Sequence, residues 1–148
     1  ASGKIISAFQ LIKNLALGAD ITNSARAMML ALGCIQALDC NKNNCPTGIA
    51  TQDPQLMVGL VVKDKEQRVA NFQNETIRNV VELLSAAGLD GDDGLSQLNR
   101  SMINRRVSQS EVMRYVDIFP DVPVGSFLNN DIPEKYVEFY NSAEATVF

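Results

Sequence analysis

The sequence predicts a mainly α-helical chain that forms the C-terminal portion of an α/β (β/α)8 TIM barrel, its last βα units plus a helical extension. Three observations predict this. Apolar residues recur at helical spacing over most of the chain. One short stretch, "ADITNSAR", reads as β followed by a turn, and no second strand is visible in the sequence to pair with it. Two helix starts suited to anions, "ASGK" and "NSARA", stand about twenty residues apart with helix and then strand between them, the order of the last two βα loops of such a barrel.

The elements follow in order. Residues 1–4 read as a turn, with Ser2 as the cap of a helix carrying Ile5, Ala8, Ile12 and Leu15 on one face and Gly18 as its stop. After the β-like segment, the run "ARAMMLALGCIQAL" predicts a buried helix from Ala25 to about Leu38, with Cys34 near its end. "DCNKNNCPTG" is broken by Asn, Pro and Gly, and "IATQDPQLMVGLVV" continues as loop. A long helix is expected from about Asp64 to Ala87, opened by a capping box of Asp64 and Gln67 and closed by Gly88. Its inward face reads Val69, Phe72, Thr76, Val80, Leu83 and Ala87. "DGDDGLSQ" is a turn into a short helix. Ser108 and Glu111 form a second capping box ahead of a helix with Val112, Val116 and Phe119. "PDVPVGSF" breaks that helix, and the last twenty residues, with Tyr136, Phe139 and Tyr140, form a short helix or a tail. The expected organisation is one unit over 1–128, with the cysteine loop at 33–48, and a C-terminal tail over 129–148.

Composition narrows the function. The 148 residues are 46% hydrophobic and 20% charged, with a formal net charge of -4. Scattered Lys and Arg under a net negative charge argue against a nucleic-acid surface. No apolar run approaches the ~20 residues of a membrane span, and the first residues lack a secretory signal pattern. There is no His and no Trp, which removes His-based triads, His-ligated zinc and His proton shuttles. Three cysteines cannot all pair within the chain, and free thiols point to a reducing cytosol. The chain starts at "ASGK" without Met and with no strand ahead of it, as expected of the C-terminal piece of something longer.

The three cysteines carry the clearest chemical signal. Cys34, Cys40 and Cys45 are spaced C-x5-C-x4-C and followed by Pro46. Buried cysteines acting as small hydrophobes would explain Cys34. They do not explain Cys40 and Cys45, which sit among Asp39, Asn41, Lys42, Asn43 and Asn44. Structural zinc prefers four ligands in paired C-x2-C arms, which are absent here, although Asp39 could complete a site. Three thiolates in a loop suit an iron–sulfur centre better, and Pro46 resembles the C-P ending of ferredoxin-type runs. The "ASGK" and "NSARA" turns fit neither a Walker loop nor G-x-G-x-x-G. Ordinary capping by Ser2 and Ser24 competes there with phosphate binding. Asp90, Asp92 and Asp93 read as a solvated turn too short for a calcium loop, and Arg105-Arg106 as surface.

Taken together, "ASGKI…LALGAD…NSARAMM.ALGCIQAL.C…CPTGIATQDP…DK…RVANF" resembles the FMN-binding domain of the glutamate synthase family, and most nearly its shorter, stand-alone members. The likeness covers roughly 1–128, including "NRR…S..EVMRY", and is most specific over the cysteine block. It implies a (β/α)8 barrel carrying FMN and a [3Fe-4S] cluster, with Cys34, Cys40 and Cys45 as cluster ligands. It implies that Ser2, Gly3 and Lys4 meet the FMN phosphate after the seventh strand, and Ser24, Ala25 and Arg26 after the eighth. It further implies electrons passing through the cluster to FMN, and reduction of 2-iminoglutarate, formed from 2-oxoglutarate and ammonia, to glutamate. Glutamate synthases proper have a Gly-rich second turn where this chain has "NSAR". Strands one to six, the flavin-ring contacts, the 2-oxoglutarate site and any amidotransferase domain are missing, so the 148 residues alone are expected to be inactive. An electron-donor protein or subunit is implied as a partner. Two other readings stand beside this one: an iron–sulfur or flavin electron-transfer module of unknown substrate, and a helical structural domain with incidental or zinc-binding cysteines.

Overall fold

The computed structural model describes residues 1–89, 91 and 93–146. The chain divides into two compact units, Ala1–Ile103 and Asn104–Phe148.

In the first unit, α1 (Ala8–Ala16), α2 (Arg26–Leu32), α3 (Pro54–Met57) and α4 (Val62–Ala86) are joined by loops, with short 3-10 turns at Cys40–Lys42 and Arg100–Met102. Helix α1 starts later than the sequence predicts. Its cap is Ser7, not Ser2: the Ser7 hydroxyl accepts from the Gln10 N–H, and the Gln10 side chain accepts in return from the N–H groups of Ile6 and Ser7. Ser2 instead pairs with Asn23 in an isolated parallel bridge. The β-like segment therefore has a partner, contrary to expectation, and the partner is the chain's own first residues. The Asn23 N–H donates to the Ala1 carbonyl at 2.8 Å, and the Ala1 amine to the Ile21 carbonyl at 2.6 Å. Helix α1 lies between the two bridged residues.

Helix α2 ends at Leu32, not near Leu38. Gly33 adopts the left-handed conformation (φ 103°), the Gly33 N–H bonds the Leu30 carbonyl, and the Cys34 N–H bonds the Met29 carbonyl. This double bond pattern closes a helix, and it works because glycine bears no Cβ in that region. The segment taken as loop contains α3, capped by Asp53 through the Gln55 N–H at 2.9 Å, with Pro54 opening the helix.

Helix α4 begins at Val62 and has no side-chain cap, so Asp64 and Gln67 form no capping box. The Asp64 and Lys65 N–H groups already bond the Val61 carbonyl, which places Asp64 in the first turn, where its charge suits the helix dipole. Val80 and Leu84 are the buried residues of α4, whereas Leu83 and Ala87 face outward. The reason is the core, in which Ala8, Val80, Leu84 and Leu89 cluster with Leu11, Ile12 and Leu98. Gly88 (φ 74°) ends α4 as expected, and the turn it makes folds Leu89 back onto Leu84.

The second unit contains a finding against the expected helix at Ser108–Phe119. Strands β1 (Asn104–Arg106) and β2 (Val112–Arg114) pair antiparallel, Arg105 opposite Met113. The Val107 and Ser108 N–H groups both reach the Glu111 carbonyl, so the serine and glutamate close a hairpin instead of capping a helix. Only Tyr115–Ile118 (α5) is helical there. The C-terminal segment forms α6 (Glu134–Ser142), with Tyr136 and Tyr140 set against Phe127 at ring separations of 6.3 and 5.3 Å.

Candidate functional site

The site is built from the turns that flank α1 and α2 and from the cysteine loop. Gly3 sits at φ 97° with nothing within 4 Å of where a Cβ would stand, and Lys4 follows at φ 55°. That backbone bends the chain away from the parallel bridge and toward a cavity of about 610 Å³. Ser2, Gly3, Lys4, Ala25 and Arg26 all line it, together with Asn23, Met29, Leu30, Gln36, Leu38 and two of the cysteines, Cys34 and Cys40. Ser24 is not on the lining; its hydroxyl donates to the Ile5 carbonyl at 2.7 Å and ties the second turn to the first. Neither Ser2 nor Ser24 caps a helix: α1 is capped by Ser7, and the cap position of α2 is Ala25, with no side-chain hydrogen bond. Lys4 and Arg26 bring two cations to the cavity, and neither has an ion-pair partner among the described residues. A phosphate needs cationic donors and an unobstructed glycine turn, and both are present.

The cysteine loop is held by specific bonds. The Gly33 turn aims Cys34, whose sulfur accepts from the Gln36 N–H at 3.4 Å. Cys40 opens the short 3-10 turn, with Asp39 and Lys42 paired beside it at 2.8 Å. Asn43, left-handed at φ 56°, fastens the loop: its side-chain oxygen accepts from the Gln52 N–H at 2.6 Å, and its carbonyl accepts from the Thr51 hydroxyl at 2.7 Å. These contacts join residues eight and nine apart in sequence, and no local pattern announces them.

Cys45 is the buried thiol, Cys34 is half-buried and Cys40 exposed. The Thr47 hydroxyl stands 3.4 Å from the Cys45 sulfur. That contact, then backbone N–H groups at Ala50, Thr47 and Ile49, lower the thiol's pKa from 9.0 to about 7, against a smaller opposing effect of burial. The thiolate is stabilised by a ring of donors. In the metal-free chain, alkylation of Cys45 is therefore expected to climb through about pH 7, read by mass spectrometry across a pH series. The sign for stability follows. The folded value lies below the ordinary one, so the thiolate's contribution is complete above pH 9 and is lost as pH falls through about 7.

All three cysteines line one narrow cleft of about 10 Å³, with Ala37, Asp39, Pro46 and Thr47. Among the described residues, no three His, Cys, Asp or Glu side chains stand close enough to hold a single metal ion. A one-ion zinc site needs such convergence, whereas a multi-iron centre spreads its thiolates over different irons. The donor set of three free thiols, with N–H groups at Cys34 and Cys45, fits an iron–sulfur centre by its chemistry. Asp90 and Asp92 of the acidic turn lie outside the described residues. The Asp93 carbonyl accepts from Ser96, and Arg105 and Arg106 are exposed on β1.

The helical frame presents three free thiols, and cations without an ion-pair partner among the described residues, to adjoining cavities. The chain belongs to the glutamate synthase family: the family model described as "Conserved region in glutamate synthase" matches residues 1–90. It is 44% identical over 90 residues to the "Glutamate synthase large subunit-like protein YerD" of Bacillus subtilis, a match covering 61% of this chain and 17% of that protein. It is 39% identical over 95 residues to the "Archaeal glutamate synthase [NADPH]" of Methanocaldococcus jannaschii, 64% of this chain and 19% of that protein. A match to "Glutamate synthase [NADH]" of Saccharomyces cerevisiae is 24% identical but covers 92% of this chain and 6% of that protein. The chain thus spans less than a fifth of the length of these relatives. No solved structure matches it. Among the described residues, no helix is long and apolar enough to cross a membrane.

Proposed function

We propose that the chain is the C-terminal part of a (β/α)8 barrel in an FMN- and iron–sulfur-dependent oxidoreductase of the glutamate synthase type. The observation that carries this is the sharing of Cys34 and Cys40 between the cysteine cavity and the cavity lined by Gly3, Lys4 and Arg26. Groups bound in the two would be neighbours, as electron transfer between them requires. Cys34, Cys40 and Cys45 would hold a [3Fe-4S] cluster, and the Gly3 turn, Lys4, Ala25 and Arg26 would hold the FMN phosphate. When bound, these groups supply electron transfer and hydride delivery to 2-iminoglutarate, formed from 2-oxoglutarate and ammonia. The chain's own residues supply the rest. Lys4 and Arg26 would neutralise the phosphate, the donors around Cys45 favour its thiolate, and Leu38, which lines both cavities, keeps their shared wall apolar beside Cys34 and Cys40.

The parallel bridge Ser2–Asn23 supports the barrel reading, as do the exposed side chains of Phe9, Ile21, Ile77 and Val81, which await cover. The partners proposed are the small-molecule substrate and an electron-donating protein or subunit. The three free thiols suit a cytoplasmic setting. Iron and acid-labile sulfide assay with EPR on anaerobically prepared protein tests the reading. Iron and sulfide in cluster stoichiometry support it. Bound zinc, or no metal under reconstitution, sinks it.

A further inference from the structure

We propose that Thr47 is a positioning residue that sets the reduction potential of the centre held by the three thiolates, through its hydroxyl on Cys45. The inference rests on the cluster reading above. The three thiols stand in unlike surroundings. Cys40 is exposed, and Cys34 receives one backbone N–H, from Gln36. Cys45 is buried and has a side-chain hydroxyl at 3.4 Å, with backbone N–H groups beside it. Among the described residues, Thr47 is the one whose side chain bonds a cysteine sulfur, and it borders the cavity that all three thiols line.

The geometry is fixed by what surrounds it. Pro46 holds the backbone between ligand and hydroxyl. The Gly48 N–H returns to the Cys45 carbonyl at 3.1 Å and closes the turn. Thr47 is β-branched, so few rotamers are open to it and the hydroxyl stays where the turn puts it. On a thiolate the hydroxyl donates. A donor on a ligating sulfur favours the more negative, reduced state of the centre, which raises its potential. Cys40 has no such partner among the described residues.

The test is a redox titration of the holoprotein, monitored by EPR, for wild type, Thr47→Val and Thr47→Ser. Iron and sulfide content is read first on each. Thr47→Val, equal in shape but without the hydroxyl, is expected to keep its iron and shift to a lower potential. Thr47→Ser is expected to titrate with wild type. Should the valine variant fail to load, Thr47→Ala, which lacks the hydroxyl without adding bulk, is read in its place. A wild type that binds no iron overturns the cluster reading and this inference with it. A wild type that loads, beside hydroxyl-free variants titrating at the same potential, overturns the inference alone. So does a serine variant displaced as far as the valine one, because shape would then be the cause.

Discussion

Gly48→Ala is expected to be among the most damaging single substitutions in the first unit, costing about 3 kcal/mol from left-handed backbone strain and overpacking together. A Cβ built there would lie 2.4 Å from the Leu56 carbonyl oxygen, 3.0 Å from the Leu60 nitrogen and 3.2 Å from the Met57 carbonyl oxygen. Every one of these is backbone, so no side chain can swing aside. Gly48 is also left-handed at φ 75°, which alone disfavours any residue with a Cβ. Relief requires the end of α3 to withdraw from the Cys45 turn, and that turn carries the donors around the Cys45 sulfur. Denaturant unfolding by circular dichroism should show a large drop in midpoint, with Cys45 alkylating at a higher pH than in wild type. A midpoint within experimental error of wild type would mean that α3 does not pack on Gly48.

Cys45→Ser is expected to lower cluster affinity by at least on the order of a hundredfold while leaving the fold intact. Serine offers a hard oxygen of high pKa in place of a soft thiolate, and the donors at Thr47, Ile49 and Ala50 would surround an atom that stays protonated. The helical core of Ala8, Val80, Leu84 and Leu89 does not include this side chain, so the far-UV spectrum should match wild type. Iron and sulfide per chain, read after identical reconstitution, decide the matter. Wild-type loading by Cys45→Ser would remove Cys45 from the ligand set.

Much of the first unit can be read from local chemistry, and the misreadings have physical causes. Gly18 and Gly88 were legible as stops because a glycine after an apolar run closes helices in a recurrent way. Gly33 has the same signal, but the apolar residues continue past it to Leu38 and mask it. Ser7 and Gln10 spell a capping box that the more N-terminal Ser2 obscures, and Asp53-Pro54 spells the start of α3. Ser108 and Glu111 show the reverse case. Their spacing satisfies a helix rule, yet pairing of β1 with β2 gives the backbone better partners, and tertiary hydrogen bonding overrides the local signal.

At the site, residue types were legible and their grouping was not. Cysteine spacing marks the proposed ligands, and small residues mark the turns. The wall formed by Gln36 and Leu38, the Asn43 clasp and the burial of Cys45 against the exposure of Cys40 all depend on contacts made through folding.

Helix α4 has a consequence in time. Its 25 residues make a rod of about 37 Å, and both α1 and α2 pack against it. Gly33, at the end of α2, lies beside Lys65 and Arg68 near the start of the rod, and Ala8 of α1 meets Val80 and Leu84 near its end. On the ribosome the three thiols emerge before any of that rod exists, and a helix as short as α2 has little stability alone. Until α4 is made, α2 and the Gly33 turn at its end have no rod to pack on. The synthesis of α4 therefore schedules when α2, and with it the turn that sets Cys34, is fixed in place.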